Sequence, residues 1–252
     1  MTTERERHPE LPLSHQVEDV LRAVEGGLPE PVGPVHRQPL DRHERHVKDT
    51  LLRMGSLIEM AILDTIRALE EHDAERALAV IRGDERVNDL MHDVIDEIIT
   101  TIATQAPVAR DLRYLLTLDH IAYELERIGD NAANVAKRVR DLAPQPPLDG
   151  YIGLPEMGRL AADILADVTR ALVDSDAELA RSVAARDDLI DRHYHRIQDD
   201  LARLSKADPG NVDRAARLLL AAHYLERIGD RVTNIAEDVV FLATGQIEDL
   251  NP

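Results

Sequence analysis

The hexapeptide Leu-Glu-Arg-Ile-Gly-Asp occurs twice in this chain, at residues 125–130 and 225–230. Both copies continue alike, with Asn-Ala-Ala-Asn-Val-Ala after the first and Arg-Val-Thr-Asn-Ile-Ala after the second. An internal repeat constrains the fold more than any other feature, because each copy must form the same kind of structural unit. The repeated segment also carries two acids, so it bears on chemistry as well as on architecture.

The repeat extends far beyond this hexapeptide. Matching Met-Gly pairs begin at residues 54 and 157, and an ungapped alignment from there brings together like residues in both copies. The matched pairs include Leu57 with Leu160, Asp64 with Asp167, Val80 with Val183 and Asp84 with Asp187. The offset is 103 residues here but 100 at the hexapeptide (126 and 226), so the second copy lacks three residues, most simply in a turn. The chain is therefore two copies of one unit of about 90–100 residues, within the usual size of a domain.

Composition favours helices in both copies. Hydrophobic residues make up 44% of the chain but aromatic residues only 2%, so the core must consist of Leu, Ile, Val and Ala. That mixture suits helices, and the 31% of charged residues is typical of amphipathic helices with solvated outer faces. Since no segment alternates polar and apolar residues or carries hairpin turns, we expect no β-sheet.

The charge balance and the lack of cysteine exclude several functions. A formal net charge of −18 repels phosphate backbones, which argues against nucleic-acid binding but is compatible with metal cations or basic partner surfaces. The chain has no cysteine, so it has no thiolate metal ligand, disulfide or cysteine nucleophile. No run approaches about 18 apolar residues and no signal peptide is visible, so we expect a cytoplasmic protein that reaches a membrane only through partners.

Apolar periodicity and breaker residues predict three helices in each unit. The boundaries come from capping residues such as Asp73 and Asp176 and from the prolines Pro107 and Pro209. The predicted helices cover about residues 42–71, 73–104, 107–142, 156–174, 176–206 and 209–243. Short turns between long helices make sequence neighbours antiparallel. The predicted fold is therefore all-α, with two tandem three-helix bundles related by the internal repeat.

Proline and glycine divide the chain into five segments. Residues 1–40 form a Pro-rich arm that is expected to be mostly disordered, and residues 143–155 form a Pro- and Gly-rich linker. We expect the first bundle at residues 41–142, the second at 156–244, and a short tail at 245–252.

Each unit carries polar residues where apolar side chains are expected. On a helical wheel of the second predicted helix, Asp84 and Asn88 fall inside the apolar stripe rather than opposite it. Asp187 and Asp191 fall inside the equivalent stripe of the second unit. An unpaired carboxylate in an apolar face is strongly destabilising or stays protonated, so another group must compensate it.

The third helix of each unit adds a pair of acids. Glu126 and Asp130 lie one turn apart at the edge of an apolar stripe, and Glu226 and Asp230 do the same in the second unit. Like charges at this spacing destabilise a helix by ~0.2–0.5 kcal/mol, and the glycine between them costs ~1 kcal/mol relative to alanine. Because both effects recur at matching positions, they indicate a reason outside folding.

A hard cation would supply that reason. Oxygen ligands from adjacent helices would give a carboxylate-rich site in each bundle, and oxygen-only ligation points to Mg²⁺, Mn²⁺, Ca²⁺ or iron rather than to a structural zinc site. The predicted ligands are Asp84, Asn88, Glu126 and Asp130 in the first unit and Asp187, Asp191, Glu226 and Asp230 in the second. The alternative is that these acids are salt-bridged, for example Asp130 to Arg127 and Asp230 to Arg227.

Two further pairs of residues recur beside these acids. Gly129 and Gly229 would let a neighbouring helix come close, since glycine has no side chain. Asn134 and Asn234 extend the acid face by one turn, and we expect them to form interhelical hydrogen bonds rather than to bind metal.

These motifs resemble the PhoU family, the regulators that accompany bacterial Pst phosphate uptake. The first unit carries Met54-Gly55, Asp84-Glu-Arg-Val-Asn88, Pro107-Val-Ala-Arg-Asp-Leu-Arg113 and the hexapeptide with Asn134-Val-Ala136. The second unit carries Asp187-Asp-Leu-Ile-Asp191 and the hexapeptide with Asn234-Ile-Ala236. The resemblance covers about residues 42–243, and its most specific feature is the doubled hexapeptide in tandem order.

The resemblance implies a function as well as a fold. It implies two three-helix bundles with multinuclear metal clusters, of iron or zinc in some members, held by the eight residues named above; manganese and magnesium are the other candidate ions. It implies a non-catalytic adaptor that contacts the ATPase subunit of the phosphate transporter and a phosphate-sensing histidine kinase, restraining both when phosphate is ample. A homodimer is a further expectation.

The chain departs from the family pattern in three places. Asn88 stands where a strict pattern has Asp, the Pro107 stretch has no close copy in the second unit, and residues 1–40 lie outside the resemblance. Two alternative functions stay open, a ferroxidase- or phosphatase-like helical metalloenzyme and a purely structural scaffold. No Glu-x-x-His motif, phosphate-binding Gly-rich loop or Gly-x-Ser-x-Gly elbow supports catalysis.

Overall fold

The computed structural model describes residues 37–148 and 153–250, and the elements within these two ranges are helical. The helices are α1 Arg37–Glu71, α2 Ala74–Gly83, α3 Glu85–Gln105, α4 Ala109–Leu142, α5 Leu154–Asp174, α6 Ala177–Ala184, α7 Asp187–Ala207, the 3₁₀ turn Pro209–Asn211, and α8 Val212–Thr244. The prediction of a disordered arm falls mostly on residues 1–36, which lie outside the described ranges.

The prediction of an all-α fold with two tandem three-helix bundles is confirmed. Helices α1 to α4 form the first bundle, in which α4 packs against α2 and α3. Helices α5 to α8 form the second, in which α8 packs against α5, α6 and α7. One apolar core, built largely of Leu, Ile, Val and Ala, runs through both bundles. In the described part of the chain, no helix is both long and apolar enough to cross a membrane.

The second helix of each unit is interrupted, whereas the apolar pattern predicts one continuous helix. In the first unit α2 ends at Gly83, and just beyond it Val87 N donates to Asp84 O at 2.9 Å. In the second unit Arg186 N donates to Val183 O at 2.9 Å across the equivalent break. These i→i+3 bonds tighten the helix for one turn. Because the apolar periodicity runs on through that turn, the sequence pattern does not mark it.

The turns that precede α2 and α6 have the same geometry. His72 and Ser175 adopt left-handed conformations, with φ of 54° and 52°, at the ends of α1 and α5. Asp73 then accepts a hydrogen bond from the backbone N–H three residues on at 2.9 Å, and Asp176 does the same at 3.0 Å. Both predicted N-caps are therefore confirmed, and each satisfies a backbone donor that the helix leaves unpaired.

Both bundles belong to one compact unit that starts at Leu40. Within it the first helices of the two repeats run antiparallel and contact each other at equivalent glycines. Gly55 of α1 faces Thr169 of α5, and Gly158 of α5 faces Ile66 of α1. A Cβ at Gly55 would lie 2.9 Å from Thr169 Oγ1, and a Cβ at Gly158 would lie 2.5 Å from Ile66 Cγ1. Ile66 and Thr169 are equivalent positions of the two repeats, as are Gly55 and Gly158, so each repeat makes the same contact with the other. The bundles therefore meet about a local two-fold axis, as two subunits of a symmetric dimer do.

Helices α4 and α8 form a second contact between the bundles and also run antiparallel. Glu124 of α4 is only 3% exposed, and it accepts hydrogen bonds from Arg231 Nη1 and Asn234 Nδ2 of α8, both at 3.2 Å. One turn earlier in α4, His120 Nδ1 lies 2.7 Å from Asp238 Oδ2. This polar network is not repeated. The positions equivalent to His120, Glu124 and Asp238 hold Leu220, Tyr224 and Arg138.

Candidate metal-binding sites

The first candidate site lies where the break between α2 and α3 meets α4. Asp84 stands at the break, Asn88 lies one turn along α3, and Glu126 and Asp130 lie one turn apart on α4. Gly129 makes room for the acid of the neighbouring helix, since a Cβ at this position would lie 3.3 Å from Asp84 Oδ1. Because residue 129 has no side chain, the carboxyl group of Asp84 can lie against α4.

The second site repeats this arrangement with tighter packing. Asp187 begins α7 and is 2% exposed, and a Cβ at Gly229 would collide with its Oδ1. Asp191 follows one turn along α7, while Glu226 and Asp230 lie on α8. In both units the acid at the helix break rests on the glycine of the hexapeptide, so it lies beside the helix that carries the other two predicted acids.

Burial and neighbouring charges raise the pKa values of Asp84 and Glu126 in the first site. Burial raises the pKa of Asp84, the charge of Asp130 raises it further, and Lys137 opposes both effects. Burial also raises the pKa of Glu126. The charges of Asp130 and Asp84 act on Glu126 in the same direction, and Arg127 opposes them. Three carboxyl groups on two chain segments thus lie close enough to act on one another, and a bound cation would offset their negative charge.

The acids of the second site repel one another in the same way. Burial raises the pKa of Glu226, and the charges of Asp230 and Asp191 add to the shift. Burial and the charge of Asp191 likewise raise the pKa of Asp230. His223, whose Nδ1 lies 3.3 Å from Glu226 Oε2, opposes both shifts. The second site therefore combines carboxyl groups with a neighbouring imidazole.

Both donor sets fit a hard cation in ligand type and charge. Asn88 Oδ1 is buried and accepts no hydrogen bond from the described residues. A buried oxygen of this kind is costly unless a donor or a cation meets it. Within residues 37–148 and 153–250, however, no three His, Asp or Glu side chains already form a cluster that could hold a metal ion. The acids gather around each helix break without converging on one point.

Ion pairs at the rim of the first site match the salt-bridge interpretation in part. Arg127 Nη1 lies 3.6 Å from Asp130 Oδ2, and its Nε lies 3.7 Å from Glu126 Oε2. Because the Arg127 side chain is 44% exposed, solvent screens these contacts and they contribute little to stability. They leave the pKa of Asp84, against Gly129, above its ordinary value.

Two basic residues that face the acids are not among the predicted site residues. Lys137 Nζ donates to Asn134 Oδ1 at 3.0 Å, and its charge acts on Asp84. His223 stands three residues before Glu226, at the spacing that places two side chains on one helix face. The same i,i+3 spacing relates Lys137 to Asn134, so this signal could have identified both residues.

The two recurrent asparagines have different partners. Asn234 Nδ2 donates to Glu124 across the contact of α4 with α8, as expected of an interhelical hydrogen bond. Asn134 instead accepts from Lys137 of its own helix. The two asparagines differ because Asn234 has the carboxylate of Glu124 as a partner on the other bundle, whereas the equivalent position in the second unit holds Tyr224.

Comparison with known proteins identifies the repeat. The family profile described as the PhoU domain matches the chain twice, at residues 51–139 and 154–239. A phosphate-specific transport system accessory protein PhoU homolog from Clostridium acetobutylicum is 36% identical over 212 residues, covering 84% of this chain and 96% of the relative. A protein with the same description from Caulobacter vibrioides is 36% identical over 202 residues, covering 80% of this chain and 88% of the relative.

Two crystal structures share the fold. PhoU from Pseudomonas aeruginosa superposes with a TM-score of 0.78 at 32% identity, over 82% of this chain and 99% of that one. The phosphate transport system regulatory protein PhoU from Streptococcus pneumoniae superposes with a TM-score of 0.75 at 28% identity, over 83% and 99%. The likeness therefore extends over almost the whole of both solved chains.

Proposed function

Because this chain belongs to the PhoU family, we propose that it is a regulator of phosphate uptake and of phosphate-starvation signalling. The observation that carries the proposal is that both repeats match the PhoU domain. The family consists of accessory and regulatory proteins of phosphate transport rather than enzymes, so the expectation of a non-catalytic chain is confirmed and a metalloenzyme is excluded.

In this proposal the protein is a cytoplasmic adaptor between two partners. It contacts the ATPase subunit of a phosphate transporter and a phosphate-sensing histidine kinase, and it restrains both when phosphate is ample. The net charge of −18 supports binding to basic partner surfaces. The protein reaches the membrane only through these partners, and a homodimer of the chain belongs to the proposal. The bundles that act in it span residues 41–142 and 156–244.

Metal binding at both helix breaks is part of the proposal. The ligands are Asp187, Asp191, Glu226 and Asp230 in the second unit, and Asp84, Asn88, Glu126 and Asp130 in the first. A divalent or trivalent ion such as iron, zinc, manganese or magnesium supplies positive charge between the crowded acids and links the helices that carry them. The raised pKa values of Asp84 and Glu226, to which burial and neighbouring acids contribute, support this role. The second unit, with four carboxylates, binds more tightly than the first.

Binding to purified partners, with metal analysis in parallel, tests the proposal. We expect the wild-type protein to bind both the ATPase subunit and the kinase, and to hold metal after exposure to iron, manganese or zinc. The variant Asp187→Ala/Asp230→Ala should lose the metal of the second site, because two of its four carboxylates are removed. The matched control Asp163→Ala/Asp213→Ala changes exposed acids away from both sites and should retain it.

The outcomes separate the two parts of the proposal. Failure to bind either partner in both phosphate-rich and phosphate-free buffer would contradict the adaptor role. Wild-type protein that binds its partners but holds none of the three metals would contradict only the metal sites. In that case the acids belong to a purely structural scaffold.

A further inference from the structure

The two repeats differ at the residue just before the first acid of each site. Arg186 precedes Asp187 in the second unit, whereas Gly83 precedes Asp84 in the first. Both residues lie at the helix break, close to the first helix of their own unit. The difference decides whether the space between the break and that helix is filled.

In the second unit the arginine itself occupies this space. Arg186 Nη1 donates a hydrogen bond to Asp167 Oδ2 on α5, so its methylene groups span the distance from the break to the first helix of the bundle. Asp167 also pairs with Arg170 Nη2 at 2.9 Å. Only 29% of the Arg186 side chain is exposed, which means that most of it packs against the protein.

In the first unit the equivalent space is a cavity of about 230 Å³ that opens to solvent. A Cβ at Gly83 would meet nothing within 4 Å. The apolar wall includes Leu57, Met60, Ala61 and Val80. Asp64, the counterpart of Asp167, also lines the cavity. Asp84 of the candidate metal site and the side chains of Arg76 and Arg86 complete the charged part of the lining. The first unit therefore keeps the acid and the apolar wall but has no arginine at the position of Arg186, and the cavity stays open.

Asp64 is paired less closely than its counterpart. Guanidinium nitrogens of Arg67 and Arg76 both stand 3.5 Å from Asp64 Oδ1, which is beyond a strong charge-assisted hydrogen bond. Arg76 is shared, since its Nη2 donates to Glu71 at 3.2 Å. Asp167, in contrast, accepts a hydrogen bond from Arg186. Neither Arg67 nor Arg76 donates a hydrogen bond to Asp64, so its carboxylate keeps acceptor capacity for a further donor.

We propose that this cavity receives an arginine side chain from a partner protein, held as the second unit holds Arg186. The apolar wall covers the methylene groups of the arginine, and Asp64 accepts a charge-assisted hydrogen bond from its guanidinium. The net charge of −18 favours the approach of a basic surface. An arginine anchored in a pocket is a frequent centre of a protein interface. The pocket is inferred from the two repeats alone and does not depend on which partner supplies the arginine.

Met60 provides a direct readout of the cavity. Its side chain lines the cavity and the residue is 53% exposed, whereas Met54 and Met157 are fully buried and serve as references. The full chain, labelled with ¹³C at the methionine methyl groups, would be titrated with the peptide acetyl-Ala-Arg-Ala-amide. We expect a saturable NMR shift of Met60 but not of the references. The matched citrulline peptide should bind about tenfold more weakly or worse, because citrulline keeps the shape but lacks the charge.

Two substitutions of Gly83 compare a filled cavity with an open one. Gly83→Arg should abolish the Met60 shift, because the new side chain fills the cavity as Arg186 does in the second unit. Gly83→Ala places a methyl group in open space and should retain the shift. Asp64→Asn is an independent variant that should weaken the arginine peptide about tenfold, since it removes the charged acceptor. Thermal unfolding followed by circular dichroism checks that each variant is folded.

Three results would overturn the proposal. They are no Met60 shift in the wild type, equal shifts with the arginine and citrulline peptides, and a shift that survives in both folded Gly83→Arg and Asp64→Asn. A Met60 shift that grows with protein concentration without peptide, and disappears in Gly83→Arg, would identify a second copy of this chain as the occupant. That outcome would overturn the assignment to a different partner.

Discussion

Asp187 has 2% of its surface exposed, and space for its carboxyl group exists because residue 229 has no side chain. Asp84 uses Gly129 in the same way, with more room. The mid-helix glycine that weakens each third helix thus makes it possible to bury an acid from the neighbouring segment. Its position one residue before Asp130 or Asp230 places that acid near a second one, and in the first site the charge of Asp130 helps to raise the pKa of Asp84.

The pair His120 and Asp238 allows a pH prediction at the scale of single residues. Burial raises the pKa of Asp238 to about 6, although its hydrogen bond to His120 opposes the shift. Burial lowers the pKa of His120, but Asp238, Glu124 and Asp119 raise it overall. Both folded-state pKa values lie above the unfolded ones, so the stability that these groups contribute is lost as pH rises through them.

We therefore expect the stability of the wild type relative to Asp238→Asn to fall between about pH 4 and pH 7, because the asparagine cannot titrate and does not raise the pKa of His120. Urea unfolding across this range measures the difference. Asp163→Asn, at an exposed position, is the control for the loss of one charge. If the free energies of unfolding of the wild type and Asp238→Asn change with pH in parallel, the prediction is contradicted.

At the scale of elements, two features position everything else: the break in the second helix and the glycine-mediated crossing of α1 with α5. The break sets Asp84 and Asp187 at the start of a new helix segment, facing the third helix of each unit. The crossing brings the backbones of α1 and α5 together at Gly55 and Gly158. Both features depend on close packing between helices, which tolerates little change in side-chain volume.

Gly158→Ala should lower the free energy of unfolding by ~1–3 kcal/mol, because the new methyl group overlaps Ile66, which is 1% exposed. Gly83→Ala is the matched control at a helical glycine with open space, and it should change stability by less than about 1 kcal/mol. Chemical denaturation of both variants measures the difference. Equal stability of the two variants would show that α1 and α5 separate without penalty.

At the scale of the whole molecule, two kinds of contact join the bundles. The apolar contacts occur in both repeats, whereas the polar network occurs once. The α1–α5 crossing is nearly symmetric, whereas the network around Glu124 occurs on one side of the α4–α8 contact and has no copy on the other. A buried Glu124 held by Arg231 is specific to one orientation of the helices, because breaking such a pair leaves an uncompensated charge.

We expect the two bundles to unfold together. Their core is continuous, so scanning calorimetry should show one transition with equal calorimetric and van't Hoff enthalpies. Glu124→Ala should move this transition to lower temperature, at ~1.5–3 kcal/mol of lost stability, since it removes hydrogen bonds to a buried charge. Glu178→Ala, at a side chain that is 87% exposed, is the control. Two separated transitions in the wild type would contradict the shared core.

The sequence by itself determined the all-α class, the tandem repeat, the caps at Asp73 and Asp176 and the acids inside apolar stripes. These features follow from local rules, since periodicity reports which face of a helix is buried and a cap acts within three residues. Only the tertiary structure decided the helix breaks, the crossing at Gly158 and the cavity beside Gly83. Each of these depends on contacts between distant segments, and an unbroken apolar pattern is compatible with a continuous helix and an interrupted one alike. The doubled hexapeptide thus predicted which acids recur, while packing determined what each one faces.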